Sequence, residues 1–512
     1  MKKYYFFVLL LTQIVFSQAP IVEWQKTLGG TSGEYVRAIR NTPDGGYIVA
    51  GQTDSYNAEF SSNHGSTDAL IVKLSSAGTI EWQKTLGGSS IDVAFNIQLT
   101  LDGGYILVGY STSNNGDVSG NHGGEDVWVA KLSSVGIIEW QKSYGGTQYD
   151  YGFDIKVTSD GGYVFVGHAG SNNGDVSGNH GNYDVWVVKI SSIGVIQWQK
   201  ALGGTNVDYA ESIQVTADGG YILAGHAFSN NGDVSGNHQP GTPDLWVVKL
   251  SPTGSVEWQK SLGGTGSEYG KNIELTSDGG YIVGAYTSSN NGDVSGLHGS
   301  FYDFWVVKLS ENGTIQWQRA LGGSYHDNLR NVKTTSDGGY IAIGMVGSSD
   351  GDVEGDHPTG EVWIVKLSNT GIIQWQKSLG GSNVDDGINI LANPDGSYTM
   401  IGWTNSTDGD VIGAHGDFDG WVVKLGPDAL ATSNFNPQNI KLYPNPTASF
   451  LTLQSAGNIL FDKIVVTDLA GKTILEQYQN SNQINVEKLA GGIYILQAFS
   501  GEEKLMAKFI KE

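Results

Sequence analysis

Asn96-Ile-Gln-Leu-Thr-Leu-Asp-Gly-Gly-Tyr-Ile-Leu-Val-Gly109 opens a segment that the chain repeats seven times and that decides the fold. A polar loop follows at 113–123, then Asp126-Val-Trp-Val-Ala-Lys-Leu132, and the segment closes on Ile137-Ile-Glu-Trp-Gln-Lys142. The closing tryptophans recur every 58 to 60 residues, at Trp24, Trp82, Trp140, Trp198, Trp258, Trp317 and Trp375. Self-similarity at a fixed period indicates a repeat architecture, because each unit must bury its apolar face against the next.

Each repeat contains four predicted strands. In the second copy they span 94–100, 105–109, 126–132 and 137–142. Asp102-Gly103-Gly104 is predicted to form a tight turn between the first two strands, because glycine accepts a positive φ. Four antiparallel strands in a repeat of this length are typical of a β-propeller blade, whereas separate hairpins would leave exposed sheet edges. The repeated tryptophans, such as Trp128 and Trp140, are interpreted as packing between blades.

The two ends of the repeat region complement each other. Residues 21–26 read as a fourth strand with no blade before it, and the last repeat ends at 425 after three strands. We therefore expect an all-β fold, with a seven-bladed β-propeller that the N-terminal strand closes and a small C-terminal β-sandwich after it. Residues 21–425 resemble β-propeller repeats of exported bacterial proteins, with a quinoprotein-like signature of apolar strand, glycine turn and a strand ending in Trp. The resemblance concerns fold and not function.

The N-terminus predicts export. Lys2 and Lys3 precede an apolar run at 4–16, and small residues suit cleavage before Gln18. The run is too short to span a bilayer, although a membrane anchor is the alternative. We assign 1–17 to a signal peptide, 18–425 to the propeller and 426–439 to a linker.

Residues 440–512 are predicted to form the β-sandwich, because short β runs alternate with turn residues. Their motifs, in order, are Leu442-Tyr443-Pro444-Asn445-Pro446-Thr447, Asp468-Leu469-Ala470-Gly471-Lys472, Leu489-Ala490-Gly491-Gly492-Ile493-Tyr494 and Lys508-Phe509-Ile510-Lys511. Together they resemble the type A C-terminal sorting domain of type IX secretion cargo; an ordinary terminal β-domain is the alternative. The resemblance implies engagement of the type IX machinery, passage across the outer membrane, and release or surface attachment after this domain is removed.

The net charge of −23 lies in the repeat region. Seven lysines cancel seven acidic residues within 440–512, so residues 1–439 carry the whole excess. Such a field repels nucleic acid and anionic membranes and attracts cations. The absence of cysteine excludes disulfides and thiolate chemistry.

The polar loop offers oxygen ligands at a spacing that suits calcium, with Gly available for the sharp turn. The candidate ligands are Asn115, Asp117, Ser119 and Asp126 in the second repeat, Asn173, Asp175, Ser177 and Asp184 in the third, Asp350, Asp352, Glu354 and Glu361 in the sixth, and Asp408, Asp410 and Asp419 in the seventh. These would be structural Ca²⁺ sites, and we expect no other cofactor. The alternative is a glycine-rich Asx turn that satisfies its own backbone.

Seven histidines share one loop position: His64, His122, His180, His238, His298, His357 and His415. An acidic residue also recurs ten residues before the glycine turn, at Glu34, Asp92, Asp150, Asp208, Glu268, Asp327 and Asp385. We expect a His–carboxylate hydrogen bond that ties the two loops together, in preference to a ring of transition-metal ligands.

One position varies among the repeats while its neighbours stay fixed. It ends the second strand and reads Gln52, Tyr110, His168, His226, Tyr286, Met345 and Trp403. Aromatic and amide side chains there suit contact with sugar or peptide, and variable packing under the loops is the alternative.

Seven near-equivalent blades argue against a single active site, since a catalytic constellation must break symmetry. The metalloprotease motif His-Glu-x-x-His does not occur. We therefore expect a secreted or cell-surface binding protein of the adhesion type, which recognises glycan or protein through the face that carries the long loops. A propeller enzyme acting on polysaccharide, a lyase or hydrolase, is the alternative.

Overall fold

A computed structural model describes residues 18–56, 63–354, 360–415, 417–428, 440–455, 461–467, 472–478, 482–500 and 503–512. The predicted signal peptide and most of the predicted linker lie outside the described residues. The chain divides into two compact units, Met1–Ala429 and Leu430–Glu512. The division falls within the predicted linker.

The described part of the first unit contains seven four-stranded antiparallel sheets. The chain enters at β1 (Val22–Leu28). Sheets 1 to 6 then follow in chain order. Sheet 1 contains β2 (Glu34–Asn41), β3 (Tyr47–Thr53), β4 (Asp68–Leu74) and β5 (Ile80–Leu86); sheet 2 contains β6 (Asp92–Leu99), β7 (Tyr105–Ser111), β8 (Asp126–Leu132) and β9 (Ile138–Tyr144); sheet 3 contains β10 (Asp150–Val157), β11 (Tyr163–Ala169), β12 (Asp184–Ile190) and β13 (Ile196–Leu202). Sheet 4 contains β14 (Asp208–Val215), β15 (Tyr221–Ala227), β16 (Asp244–Leu250) and β17 (Val256–Leu262); sheet 5 contains β18 (Glu268–Leu275), β19 (Tyr281–Thr287), β20 (Asp303–Leu309) and β21 (Ile315–Leu321); sheet 6 contains β22 (Asp327–Thr334), β23 (Tyr340–Val346), β24 (Glu361–Leu367) and β25 (Ile373–Leu379).

Sheet 7 combines the two ends of the repeat region. It contains β26 (Asp385–Ala392), β27 (Tyr398–Thr404) and β28 (Asp419–Leu425), and β1 pairs antiparallel with β28 as its fourth strand. The prediction of an all-β chain built from repeated four-stranded sheets is confirmed.

Apolar clusters join neighbouring sheets. Trp128 is fully buried in a cluster shared by sheets 1 and 2, and a further cluster joins Val36 of sheet 1 to Ile401 of sheet 7. Trp140, on the fourth strand of sheet 2, packs against Tyr163 of sheet 3 with ring centroids 6.2 Å apart. The predicted packing of tryptophans between sheets is confirmed. Each fully buried apolar side chain of this size contributes about 1.5–3 kcal/mol relative to its exposed state.

The Asp-Gly-Gly turn joins the first two strands of a sheet as predicted, and Gly103 adopts a φ of 83°. Asp102 accepts hydrogen bonds from the Thr100 hydroxyl and from the Gly104 N–H, at 2.5 and 3.2 Å. Its other oxygen lies 2.9 Å from the ammonium of the buried Lys131. The Thr100 hydroxyl and the Lys131 ammonium lower the pKa of Asp102 to about 2. The carboxylate therefore stays charged over the physiological pH range, and its contacts hold the turn against the ammonium of Lys131 on the third strand.

The second unit contains two sheets. Its strands are β29 (Ile440–Tyr443), β30 (Phe450–Ser455), β31 (Lys463–Thr467), β32 (Thr473–Gln477), β33 (Gln483–Asn485), β34 (Gly492–Ser500) and β35 (Glu503–Lys511). The strand orders are β29-β30-β33 and β32-β31-β34-β35. Leu451 of one sheet and Ile464, Leu496 and Phe509 of the other share one buried cluster. The two sheets therefore enclose a common core.

Candidate functional site

The first strand of every sheet in the repeat region contains a β-bulge at the same position. In β10 the register shifts between Gly152 and Asp154, so Phe153 has no partner on β11. A bulge turns the extra side chain in a new direction. The seven bulged residues are Arg37, Phe95, Phe153, Glu211, Lys271, Arg330 and Ile388. All seven line one cavity of about 380 Å³, which lies in the range of roughly 300–1,000 Å³ that is usual for small-molecule sites.

The cavity carries an excess of positive charge although the protein as a whole is acidic. Six cationic and four acidic side chains line it, which leaves an excess of two positive charges. The cations are Arg37, Arg40, Lys156, Lys271, Arg330 and Lys333, and the acids are Asp154, Glu211, Glu274 and Asp386. Every one of them belongs to a first strand, so six of the seven sheets contribute to one charge pattern.

Each of the four acids is paired with a lining cation. Arg330 lies 2.7 Å from Asp386, Lys271 lies 2.5 Å from Glu211, Lys156 lies 3.1 Å from Asp154, and Lys333 contacts Glu274. Asp386 is fully buried, and burial raises its pKa in spite of the neighbouring Arg330. These acids serve as internal counter-ions, so they leave two of the cations without a carboxylate partner.

The two remaining cations are Arg37 and Arg40, and their surroundings differ. Arg40 donates to three neutral acceptors, the Ile39 carbonyl and the side chains of Asn96 and Gln98, at 2.7, 2.7 and 3.1 Å. The Arg37 guanidinium lies 5.1 Å from the Phe95 ring centroid and donates to Gln52 at a long 3.4 Å. Its buried Nε donates to no described residue. Burial lowers the pKa of both arginines, which reflects the cost of desolvating a cation.

Rings at the ends of the first two strands of six of the seven sheets form an aromatic collar beside the cavity. We define the aromatic collar as Tyr35, Tyr110, Tyr151, His168, Tyr209, His226, Tyr269, Tyr286 and Trp403. Its rings contact one another from sheet to sheet, with centroid distances of 5.0 Å for Tyr110–Tyr151, 4.4 Å for His168–Tyr209, 4.9 Å for His226–Tyr269 and 6.0 Å for Tyr35–Trp403. Trp403 also lines the cavity, so collar and cavity are continuous.

The seven residues predicted for ligand contact are divided by the structure into different roles. Tyr110, His168, His226, Tyr286 and Trp403 belong to the aromatic collar, whereas Gln52 accepts a hydrogen bond from Arg37. Met345 is partly buried. His168 and His226 are 8% and 7% exposed, and burial lowers the pKa of each to about 3. Both imidazoles are therefore neutral packing groups at physiological pH. A direct contact between these seven residues and a ligand stays a prediction.

The sequence reasoning missed the bulged residues. A signal for them exists in the sequence. The third residue after each loop acid varies, reading Arg, Phe, Phe, Glu, Lys, Arg and Ile from Arg37 to Ile388, while the residue two positions further on is isoleucine or valine in all seven copies. The alternation of apolar and polar residues along a strand does not reveal a bulge, since the extra residue is defined only by the pairing with the neighbouring strand.

The calcium candidates of the second repeat donate to or accept from protein groups. Asn115 and Asp117 accept hydrogen bonds from backbone N–H groups in the turn 87–89, at 2.9 and 3.2 Å. Ser119 accepts from the Gln141 amide at 2.6 Å. In the third repeat, Asn173, Asp175 and Ser177 accept the equivalent hydrogen bonds. In the seventh repeat, Asp408 and Asp410 accept the two equivalent backbone hydrogen bonds. These contacts fit the Asx-turn alternative, in which the loop oxygens satisfy the chain itself.

The sixth loop carries the most carboxylates. Asp350 accepts from the Ser324 N–H at 2.7 Å, and Asp352 lies 3.5 Å from Nε2 of His298. Glu354 lies within this loop, and Glu361 is the first residue of β24. Among the residues that the structure describes, no three His, Asp or Glu side chains form a group suited to a metal ion. Calcium in these loops stays a prediction.

The loop histidines bind a different carboxylate from the one we predicted. Both the backbone N–H and Nδ1 of His122 lie within hydrogen-bond distance of Asp126, at 2.8 and 2.7 Å. The corresponding pairs are His64–Asp68, His180–Asp184, His238–Asp244, His298–Asp303 and His415–Asp419, and His357 lies outside the described residues. The predicted tie between two loops is wrong, because the loop folds back on itself and places the imidazole beside the first residue of the third strand. Asp92, the expected partner, accepts from the Gly88 N–H and the Ser113 hydroxyl.

Comparison with known proteins identifies the C-terminal unit. Residues 441–512 match the family described as secretion system C-terminal sorting domain. The resemblance predicted for 440–512 is confirmed, and the match indicates engagement of the type IX system and a secreted or cell-surface fate. Within the described residues, no helix has the length and apolar character needed to cross a bilayer.

The other comparisons show distant likenesses. The chain is 23% identical over 295 residues to an uncharacterized WD repeat-containing protein of Acanthamoeba polyphaga mimivirus; the alignment covers 44% of this chain and 21% of that protein. The extracellular domain of a hybrid two-component system protein of B. thetaiotaomicron is similar at 11% identity and a TM-score of 0.42, over 96% of this chain and 60% of that one. Puromycin hydrolase gives 11% identity and the same TM-score, over 91% and 59%. The chain thus spans about a fifth of the curated relative, and none of these likenesses carries a function.

Proposed function

We propose that this is an exported binding protein whose repeat region is a seven-bladed β-propeller closed by β1, and that it recognises its ligand through the aromatic collar and the cavity. The ring is supported by the pairing of β1 with β28 and by the apolar cluster between sheets 7 and 1. The collar lies at the ends of the second strands, where the long loops begin. It therefore supports recognition of glycan or protein on the face that carries those loops.

One observation carries this proposal. The repeats keep scaffold residues, such as the buried third-strand tryptophan of six of the seven sheets, but they differ at the bulged position and at the end of the second strand. Bulged residues and Trp403 then meet in one cavity. A scaffold that served stability alone would have no physical reason to place five different kinds of side chain at the seven equivalent bulged positions, whereas a site for one asymmetric ligand requires such variety.

The test is a glycan array and a surface-protein capture assay with the purified protein and two variants. Trp403→Ala removes a ring that belongs to both collar and cavity. Leu101→Ala is the control, because Leu101 is 83% exposed beside the glycine turn and outside the cavity. We expect Trp403→Ala to lose binding and Leu101→Ala to retain it. Equal binding by all three proteins, with an unchanged ligand profile, would refute the assignment of the site.

A polysaccharide lyase or hydrolase is the second candidate. The observation in its favour is Asp386, a fully buried cavity carboxyl whose pKa burial raises, since a general acid needs such a shift. Its close pairing with Arg330 favours a counter-ion role instead. Incubation with polysaccharides decides between the two functions. If the wild-type protein generates new chain ends and Asp386→Asn does not, the protein is an enzyme.

We also propose that residues 440–512 engage the type IX machinery and are removed during export, which leaves the repeat region secreted or attached to the outer surface. The match of 441–512 to the sorting family supports this. Deleting 440–512 is expected to retain the protein inside the outer membrane. Undiminished export of the truncated protein would contradict it.

A further inference from the structure

We propose that the ligand of the cavity is an acidic saccharide, and that Arg37 is the residue that binds its anionic group. The inference rests on the proposed binding function and adds to it the chemical class of the ligand.

The first step is the charge of the cavity. A protein with a net charge of −23 has little reason to gather six cations around one enclosed space. Four of these cations have a carboxylate partner there, so the excess belongs to Arg37 and Arg40. Burying an uncompensated cation is costly, and an anionic group supplied by a ligand would remove that cost.

The second step distinguishes the two arginines. Arg40 donates to three neutral acceptors within 3.1 Å, so its hydrogen-bonding groups are largely used. Arg37 has one long hydrogen bond to Gln52, and its buried Nε has no described acceptor. The Phe95 ring supports the guanidinium from one side at 5.1 Å. Arg37 is therefore held in place with donor groups still free, and its planar fork suits a carboxylate or sulfate.

The third step concerns the rest of the ligand. Phe95, Phe153 and Trp403 present rings to the same cavity, and Asn331 and Asn389 line it as amides. The carbonyl oxygens of both amides are buried without a described donor. Rings that cover the C–H face of a sugar, amides that accept from its hydroxyls and a guanidinium for its acidic group together fit an acidic sugar residue. A neutral glycan would leave Arg37 without a partner, and an acidic peptide would make less use of the three rings.

The experiment measures binding of a panel of uronate oligosaccharides and of their methyl esters, which have the same skeleton without the charge. Wild-type protein is compared with Arg37→Gln and Arg37→Lys. Arg319→Gln is the matched control, because Arg319 is exposed on β21 outside the cavity and its loss changes the net charge equally. Thermal melting of each variant verifies that it is folded. If Arg37→Gln does not fold, Arg37→Lys, which retains the positive charge, is the variant that is compared with wild type.

We expect wild type to bind an acid form about 10- to 100-fold more tightly than its ester, the usual effect of a charge-assisted hydrogen bond. Arg37→Gln should lose this preference, Arg37→Lys should keep part of it, and Arg319→Gln should behave as wild type. Equal binding of acid and ester that Trp403→Ala abolishes would overturn the inference and leave the proposed binding function intact. Tri-glutamate is included as an acidic peptide, and a preference for it over every saccharide would overturn the assignment to sugars. Failure of the whole panel, of the glycan array and of the surface-protein capture assay would overturn both proposals.

Discussion

Arg330→Met tests whether the cavity pairs are counter-ions held at a cost. The substitution keeps most of the aliphatic stem but leaves the Asp386 carboxylate, which is fully buried, without the guanidinium 2.7 Å away. Removing one partner of a buried pair costs about 3–5 kcal/mol, and the partial exposure of Arg330 reduces this to about 2–4 kcal/mol. With about 2.1 cal/mol/K of unfolding entropy per residue over about 400 residues, Tm should fall by about 2–5 °C at pH 8.

The pH dependence of this loss has a definite sign. Burial raises the folded-state pKa of Asp386, so the stability linked to its protonated form is complete below about pH 3.9 and is lost as pH rises through the folded pKa. In Arg330→Met only the charges of Arg37 and Lys271, which do not contact Asp386 directly, offset that burial, so the loss should be smaller at pH 5 than at pH 8.

Differential scanning calorimetry at the two pH values measures the effect. Lys333→Met is the control, because it removes a cation from the same cavity whose partner, Glu274, is partly exposed. That pair should be worth about 1 kcal/mol or less. Combining Arg330→Met with Asp386→Leu should restore stability. An unchanged Tm for Arg330→Met at pH 8, or an equal loss at both pH values, would refute the reasoning.

Three further predictions concern the scaffold. Gln141→Ala removes the acceptor 3.1 Å from the indole N–H of the buried Trp128, and chemical denaturation should show a loss of about 1–3 kcal/mol; a loss below measurement error would contradict it. Burial raises the pKa of Asp303 to about 6, so its contribution to stability is complete below about pH 3.9 and is lost as pH rises through 6. Melting curves from pH 4 to 8 should therefore vary less for Asp303→Asn than for wild type, and identical profiles would count against this. If calcium binds the loop between β23 and β24, millimolar Ca²⁺ should raise Tm and EGTA should reverse the rise, whereas Asp350→Asn should abolish it.

The fold could be predicted from the sequence because its cues are local and repeated seven times. The third strand of the second repeat was predicted at 126–132 and observed at Asp126–Leu132, since its apolar run ends in clear turn residues. The first strand was predicted from 94 but begins at Asp92, because its start is fixed by side-chain contacts of that aspartate rather than by hydrophobic alternation. Gln483–Asn485 was missed, as three residues are too few for a periodic pattern.

The site could be predicted only in part, for a different reason. The variable position at the end of the second strand can be predicted, because its variation is visible when the seven repeats are aligned with one another. The bulged residues and the cation pairs depend on which first strands face one another, as in the hydrogen bond of 2.8 Å between Asn96 and Asp154, 58 residues apart. The histidine partner was predicted wrongly because the path of the loop, which brings His122 to Asp126, cannot be read from residue spacing alone.

The number of ligands bound per chain tests the central claim most directly. If recognition were a property of each repeat, seven near-identical units would bind several equivalents of ligand. If recognition instead takes place in the one cavity where the variable residues of the repeats meet, each chain binds one ligand molecule. Isothermal titration calorimetry with the ligand identified on the array should then give one equivalent of ligand per chain. It should give none for Trp403→Ala. A stoichiometry of several equivalents, with wild type and Trp403→Ala alike, would contradict the account.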